Sequence, residues 1–184
     1  MNPTPSWLQS ARDHWQWRGQ IRPPFALEPQ PGQTSVWDFP RPAQLVADQR
    51  EVVIRWGEIE VTRTRRAITV LETSHPPSFY LPWADVAQHL LQRQPGSSFC
   101  EWKGPAQYWS LAHGNDRLDG VAWSYPRPLA GAEALAECVA FYPANLHCSV
   151  DGALVQPQLG GLYGGWITPD LAGPFKGDAG SSSW

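Results

Sequence analysis

The sequence lacks three features that would assign it to a common class of secreted or membrane protein. It has no apolar run long enough to cross a bilayer, and its start, residues 1–7, lacks the basic stretch and apolar core of a secretory signal. It contains three cysteines and no Cys-x-x-Cys pair, and an odd number of cysteines argues against a disulfide framework. We therefore expect a soluble, cytoplasmic protein that does not associate with membranes.

The charge balance also excludes a class of partner. The net charge is -3 and the isoelectric point is near 5.9, so no overall positive field attracts nucleic acid. We expect no nucleic-acid partner.

Aromatic residues and proline are abundant, with 11 Trp and 19 Pro among 184 residues. Residues 1–46 show no sustained period, yet they carry aromatic residues throughout, and a disordered segment would lack them. We expect an irregular arm over 1–46 packed on a core domain over 47–159. A Gly-rich, aromatic tail over 160–184 is expected to pack there too.

Alternating apolar and polar residues separated by turn signals predict β-hairpins over residues 52–64, 107–125 and 148–155. Residues 83–91 carry apolar side chains at helical spacing and are followed by Pro95-Gly96, which predicts a helix. A second short helix is predicted over residues 132–138. The expected fold is mainly β, with one or two short helices.

The segment 99–108 (FCEWKGPAQY) combines a thiol, two charges and two large aromatic side chains around a Gly-Pro break. Cys100 is a candidate nucleophile, because the neighbouring Lys103 could lower its pKa. A buried cysteine that only packs is the alternative. Lys103 itself is a candidate to bind an anion or to act as a base, or it is a surface charge.

Two polar residues follow the strand predicted near residue 70. His75 precedes two prolines and is either an acid or base in catalysis or a group that caps local backbone. Glu72 is either a catalytic partner of Lys103 or half of a structural ion pair. Both are kept as candidate catalytic residues.

Four aromatic residues are candidates for the wall of a ligand cleft. Cys100 and Trp102 are expected to share one face of a strand, and Trp123 and Tyr125 one face of another, because side chains alternate along a strand. Tyr108 follows the Gly-Pro break and is expected to face them. Trp37 is expected to border the same cleft. The alternative is that these rings form core.

Five segments together resemble family 427 of the bacterial domains of unknown function: SVWDFPRP (35–42), LETSHPP (71–77), CEWKGPA (100–106), AWSY (122–125) and YGGWITP (163–169). The resemblance implies a β-tent fold, in which two antiparallel sheets meet at an angle, as in methionine sulfoxide reductase B and the cereblon ligand-binding domain. It implies no established activity. Some members carry a nucleotidyltransferase label, but the metal-binding aspartate pattern of that activity is missing here. Many β-tent proteins bind zinc through paired Cys-x-x-Cys motifs, which this sequence lacks, so we expect no structural zinc.

Three functions remain open. The first is a small-molecule binding protein with an aromatic cleft between the two sheets, suited to a flat or cationic ligand. The second is an enzyme that uses Cys100 as a nucleophile or redox thiol, with Lys103, Glu72 or His75 as partners. The third is an interaction protein that forms a homodimer. No cofactor is expected, and no metal, because Cys148 and the residues beside it offer no metal geometry.

Overall fold

The computed structural model describes residues 5–181 and residue 184. It contains one α-helix, α1 (Ser6–Asp13), within those residues, and the rest of the regular structure is strands and short 3-10 turns. The strands, in chain order, are β1 (Thr34–Ser35), β2 (Gln44–Asp48), β3 (Val52–Trp56), β4 (Ile59–Thr64), β5 (Ala67–Leu71), β6 (Ser78–Pro82), β7 (Leu91–Cys100), β8 (Gly104–His113), β9 (Asp116–Ser124), β10 (Cys138–Phe141), β11 (His147–Val150), β12 (Ala153–Leu154), β13 (Gln156–Pro157), β14 (Trp166–Ile167) and β15 (Leu171–Ala172).

Two antiparallel sheets form the body of the protein. The large sheet has seven strands in the order β2-β5-β6-β10-β9-β8-β7, and the small sheet has four in the order β12-β11-β3-β4. Two short ladders are added by the terminal segments: β13 pairs with β14, and β1 pairs with β15 in parallel. The prediction of a mainly β fold built from antiparallel sheets is confirmed, and so are the three predicted hairpins. The first strand of the large sheet begins at Gln44, three residues inside the predicted arm.

One apolar core joins the inner faces of the two sheets. Val52, Ile54 and Cys148 from the small sheet pack with Phe79, Leu81, Val139 and Phe141 from the large sheet, and all are almost fully buried. The neighbouring residues Tyr80 and Ala140 belong to a separate cluster. Because side chains alternate along a strand, this second cluster lies on the outer face of the large sheet.

The helix predicted over residues 83–91 is wrong. This segment forms two 3-10 turns, Trp83–Asp85 and Gln88–Leu90, and then enters β7. The apolar residues Val86 and Leu90 are buried in the core, as the spacing indicated. The backbone, however, bonds to a neighbouring strand: the Ala87 amide donates to the Val61 carbonyl at 2.9 Å. Tertiary pairing outweighs a local helical preference here.

The segment predicted to form a second helix contains the 3-10 turn Glu133–Leu135. The arm, predicted to be irregular, instead holds α1. Among the described residues, no helix has the length and apolarity needed to cross a membrane.

Candidate functional site

A cavity of about 340 Å³ lies on the outer face of the large sheet. The predicted position, between the two sheets, is wrong, because the apolar core described above fills that space. The cavity is lined by side chains from the sheet, from the turns at its edge, from the arm and from the tail: Trp15, Val70, Glu72, His75, Pro76, Ser78, Tyr80, Ser98, Phe99, Cys100, Glu101, Trp102, Lys103, Tyr108, Trp123, Tyr125, Tyr142, Gln158, Leu162, Tyr163 and Gly164.

The floor of the cavity is a row of residues that face one another across four adjacent strands. Ala140 on β10 is opposite both Tyr80 on β6 and Trp123 on β9, and Trp123 is opposite Tyr108 on β8. The small side chain of Ala140 leaves room for its two large neighbours to meet above it. Trp123 Nε1 donates to the Tyr80 hydroxyl at 3.0 Å, and the two rings are 5.9 Å apart in an edge-to-face arrangement. This bond fixes the orientation of both rings.

The turn between β7 and β8 supplies the thiol and the ammonium group. Cys100 pairs with Gly104, so Glu101, Trp102 and Lys103 form a tight connection, and Gly104 has a φ of +97° that favours glycine. The expectation that Cys100 and Trp102 share a strand face is wrong, because Trp102 lies in this turn. The turn nevertheless brings both residues to the cavity wall.

The turn after β5 supplies Glu72 and His75. The His75 amide donates to the Glu72 carbonyl at 3.0 Å, and Ser74 between them has a φ of +71°. The turn is anchored to the arm, since the Ser74 amide donates to the Val36 carbonyl at 3.0 Å. Glu72 and His75 are thereby held at the rim that faces the β7–β8 turn.

Glu72 forms ion pairs with two cations, Arg41 and Lys103. Its Oε1 accepts from Arg41 Nε at 3.3 Å, and its Oε2 lies 3.7 Å from Lys103 Nζ. Burial alone would raise the pKa of Glu72, but Lys103 and then the other positive groups lower it below its usual value. Burial would lower the pKa of Lys103, but Glu72 and then Cys100 outweigh it and hold that pKa above its usual range. Both groups are therefore charged at neutral pH.

His75 is neutral and has a defined tautomer. Burial lowers the pKa of His75 to about 4. The side-chain amide of Gln158 is oriented by two backbone groups, because its oxygen accepts from the Gly165 amide and its nitrogen donates to the Lys176 carbonyl. That nitrogen lies 3.0 Å from His75 Nδ1, so Nδ1 is the acceptor and the ring proton is on Nε2.

The arm closes one side of the cavity. Trp15 Nε1 donates to Glu101 Oε1 at 2.7 Å, and Arg12 Nε donates to the Glu101 carbonyl at 2.9 Å. The Trp15 ring lies 6.5 Å from the His75 ring. The Arg41 guanidinium stacks over the Trp15 ring at 4.0 Å from its centroid. The β7–β8 turn and the β5–β6 turn are thus bridged by one indole.

The tail closes another side. The Tyr163 ring lies 4.7 Å from the His75 ring. A Cβ at Gly164 would lie 2.2 Å from Trp123 Cη2, so only glycine allows the backbone to approach this indole so closely. The tail therefore packs directly on the floor residue Trp123.

The three cysteines differ in environment. Cys138 and Cys148 are buried, and burial raises the pKa of their thiols to about 11 and about 12. Cys100 is half-buried and lines the cavity. It is the cysteine that a bound molecule would meet.

Eight of the nine candidate residues meet at this cavity: Glu72, His75, Cys100, Trp102, Lys103, Tyr108, Trp123 and Tyr125. Trp37 does not, because it is fully buried in a cluster with Trp17, Phe25 and Trp184, and its Nε1 donates to the Pro174 carbonyl at 3.1 Å. Sequence reasoning missed several lining or supporting residues, namely Trp15, Tyr80, Tyr142, Tyr163, Gly164 and Arg41. Two sequence motifs were available signals for three of these residues. The YGG motif (163–165) contains Tyr163 and Gly164, and the HPP motif (75–77) lies three residues before Tyr80.

Within residues 5–181 and 184, no group of three or more His, Cys, Asp or Glu side chains is placed to hold a metal ion. A comparison with curated proteins gave no match. A comparison with protein families gave a match over residues 44–156 to a domain of unknown function, DUF427. This match covers β2 through β12, which includes the whole large sheet and the whole small sheet. Because it spans more than half of the 184 residues, the chain belongs to the DUF427 family.

Proposed function

We propose that the protein binds a small molecule with a flat apolar body in the cavity over the large sheet. The observation that carries this proposal is the composition of the cavity wall, where several aromatic rings meet one compact polar end formed by Glu72, His75 and Lys103. Ligand pockets in proteins are typically concave and largely apolar, with a few placed polar groups. A volume of about 340 Å³ suits a ligand of one or two rings.

The wall is held in place before any ligand arrives. Trp123 is bonded to Tyr80, and the Tyr108 hydroxyl lies 2.6 Å from Ser98 Oγ. Rings that are already ordered lose little side-chain entropy on binding, so more of the contact energy is available for affinity.

The test is a thermal-shift and calorimetric screen of aromatic compounds with one or two rings. We expect binders that raise the melting temperature of the wild type and lose about tenfold in affinity in Trp123→Phe, which removes part of the floor. Trp56→Phe is the matched control, because Trp56 lies on the small sheet, outside this cavity. The proposal fails if no compound binds, or if Trp56→Phe and Trp123→Phe have the same effect.

A second candidate function is an enzyme that uses Cys100 as a nucleophile or redox thiol. The observation in its favour is that the half-buried Cys100 lines the same cavity as Lys103, which lies three residues on in the β7–β8 turn. A nearby ammonium group stabilises a thiolate, which is the reactive form of cysteine.

The rate of alkylation by iodoacetamide as a function of pH separates the two functions. An enzyme predicts rapid modification that is already maximal near neutral pH and is lost in Cys100→Ser. A rate that rises up to about pH 8.5, as for an ordinary thiol, contradicts catalysis by Cys100 and leaves the binding function.

A further inference from the structure

We propose that the ligand is an aromatic acid whose carboxylate lies at Lys103 and whose ring lies against Trp123 and Tyr108. This inference rests on the proposed small-molecule function and adds the chemical class of the ligand. It joins two sequence-based expectations, a flat ligand in an aromatic cleft and an anion bound by Lys103, and it is incompatible with the cationic ligand that was the alternative.

The polar end of the cavity has more positive than negative charge. Among the described residues, Glu72 is the carboxylate that lies within ion-pair distance of both Arg41 and Lys103, at 3.3 Å and 3.7 Å. The Arg41 side chain has no exposed surface, and its other N–H groups donate to the carbonyls of Trp17 and Thr73. The two cations therefore share one ion-pair partner, and buried charge that is not compensated is costly in a protein. An anion at this point would complete the pairing.

A second carboxylate lines the cavity but is already engaged. Glu101 Oε1 accepts the indole N–H of Trp15 at 2.7 Å. Arg12 lies beside it, donates to the Glu101 carbonyl at 2.9 Å and stacks over Trp102 at 4.9 Å. The Glu101 carboxylate therefore has its own donor in Trp15, while its charge also attracts Arg41 and Lys103. With Arg12 beside it, two carboxylates at this end of the cavity face three cations.

The Lys103 ammonium group has donors that an anion could use. Its distance of 3.7 Å from Glu72 exceeds the length of a hydrogen bond. An ammonium group carries three donors, and the Lys103 side chain is 13% exposed at the cavity wall.

Two further groups at the same wall are donors. Trp102 Nε1 is buried and has no hydrogen-bond partner among the described residues. His75 carries its ring proton on Nε2, as its bond to Gln158 requires. Both residues line the cavity together with Lys103. A lining rich in donors favours an acceptor group on the ligand, and a carboxylate accepts several donors at once.

The experiment uses three probes that share one ring system and differ in charge. They are 2-naphthoate, the neutral 2-naphthamide and the cationic 2-naphthylmethylamine, titrated by calorimetry into the full chain at neutral pH. We expect 2-naphthoate to bind at least about tenfold more tightly than the amide, because hydrogen bonds to charged groups exceed neutral ones in strength. The amine should bind most weakly.

Lys103→Gln should reduce the preference for 2-naphthoate over 2-naphthamide to less than about threefold while the amide keeps its affinity. The variant should fold, because Glu72 retains its bond to Arg41. Lys103→Arg should restore part of the preference. Arg55→Gln is the matched control, since it removes a positive charge on the small sheet and should leave the preference intact.

The outcomes distinguish the two proposals. Equal binding of acid and amide, or tighter binding of the amine, overturns the acid ligand and leaves the binding function. A preference that survives in Lys103→Gln overturns the assignment of the carboxylate to Lys103. Failure of all three probes to bind overturns the acid ligand, and the binding function falls with it only if the wider screen of aromatic compounds also gives no binder.

Discussion

His75 illustrates how burial changes a single residue in this site. Desolvation lowers the pKa of His75 to about 4, and the Glu72 carboxylate only partly opposes this. The ring is therefore neutral at physiological pH and acts as a donor and an acceptor at the same time. A neutral imidazole fits a role in binding and positioning, whereas a general acid or base works best with a pKa near the operating pH.

The first prediction concerns pH and stability. Between the native pKa of His75, about 4, and the pKa of a free histidine, about 6.5, the unfolded state binds more protons than the native state. The free energy of unfolding therefore falls as the pH drops through this window. The free energy of unfolding should be measured by urea denaturation at about pH 7 and at about pH 5. The decrease between the two pH values should be smaller in His75→Gln than in the wild type, by on the order of 1 kcal/mol. His113→Gln is the control, because His113 is exposed at the end of β8. Equal pH dependence in His75→Gln and the wild type would contradict the assignment.

The second prediction concerns the contact between the tail and the cavity floor. Gly164→Ala places a Cβ within 2.2 Å of Trp123 Cη2 and 2.5 Å of Trp123 Cζ3, so we expect a loss of about 1 to 3 kcal/mol in the free energy of unfolding. Phenylalanine lacks these two atoms. The double variant Gly164→Ala/Trp123→Phe should therefore lose less free energy of unfolding than the two single variants lose in sum, as measured by denaturant titration. Additive losses would mean that the two sites do not contact each other.

At the scale of elements, the segment after α1 forms a wall of the cavity, and α1 docks beside it. Trp7 contacts Phe99 with ring centroids 5.1 Å apart, and Trp15 bonds to Glu101. Trp7 is 57% exposed and does not line the cavity, whereas Trp15 does. The two indoles therefore allow the role of the wall to be separated from the role of helix docking.

The third prediction follows from this difference. Trp15→Ala should accelerate alkylation of Cys100 by at least about threefold, because it opens a side of the cavity by removing a local contact. Trp7→Ala should leave the rate close to that of the wild type. Mass spectrometry after limited exposure to iodoacetamide gives the rate at Cys100 and, as an internal reference, at the buried Cys138. Equal rates in both variants would show that Trp15 does not restrict access.

At the scale of the whole molecule, the large sheet has two different faces. Its inner face packs on the small sheet and supplies the core, and its outer face carries the cavity. The main core and the cavity of the proposed binding function thus lie on opposite faces of the same strands, with Leu81 and Tyr80 on β6 as neighbours on the two faces.

The fourth prediction tests this separation by denaturant titration. Leu81 is fully buried between the sheets, so Leu81→Ala should cost about 2 to 5 kcal/mol in the free energy of unfolding. Leu162 lines the cavity but is 71% exposed, so Leu162→Ala should change stability by less than about 0.5 kcal/mol. Similar losses in the two variants would contradict this difference between the inner face and the wall of the cavity.

The hairpins and most of the site could be predicted from sequence because their signals are local. Alternation and turn residues fix β3 and β4, as well as β8 and β9, and the segment 99–108 carries its chemistry within one turn. The helix over residues 83–91 could not be excluded in this way. Its apolar spacing is real, but the bond from the Ala87 amide to Val61 depends on a strand that is distant in sequence.

The sequence by itself determined the fold class and most of the residue types that line the cavity, because strand alternation and turn chemistry act between neighbours along the chain. Tertiary structure decided which face of the large sheet carries the cavity, since the inner face is filled by the small sheet. It also decided that Trp37 is core and that Arg41, Trp15 and Gly164 support the site. Each of these roles depends on contacts between segments far apart in the chain, and no local pattern encodes them.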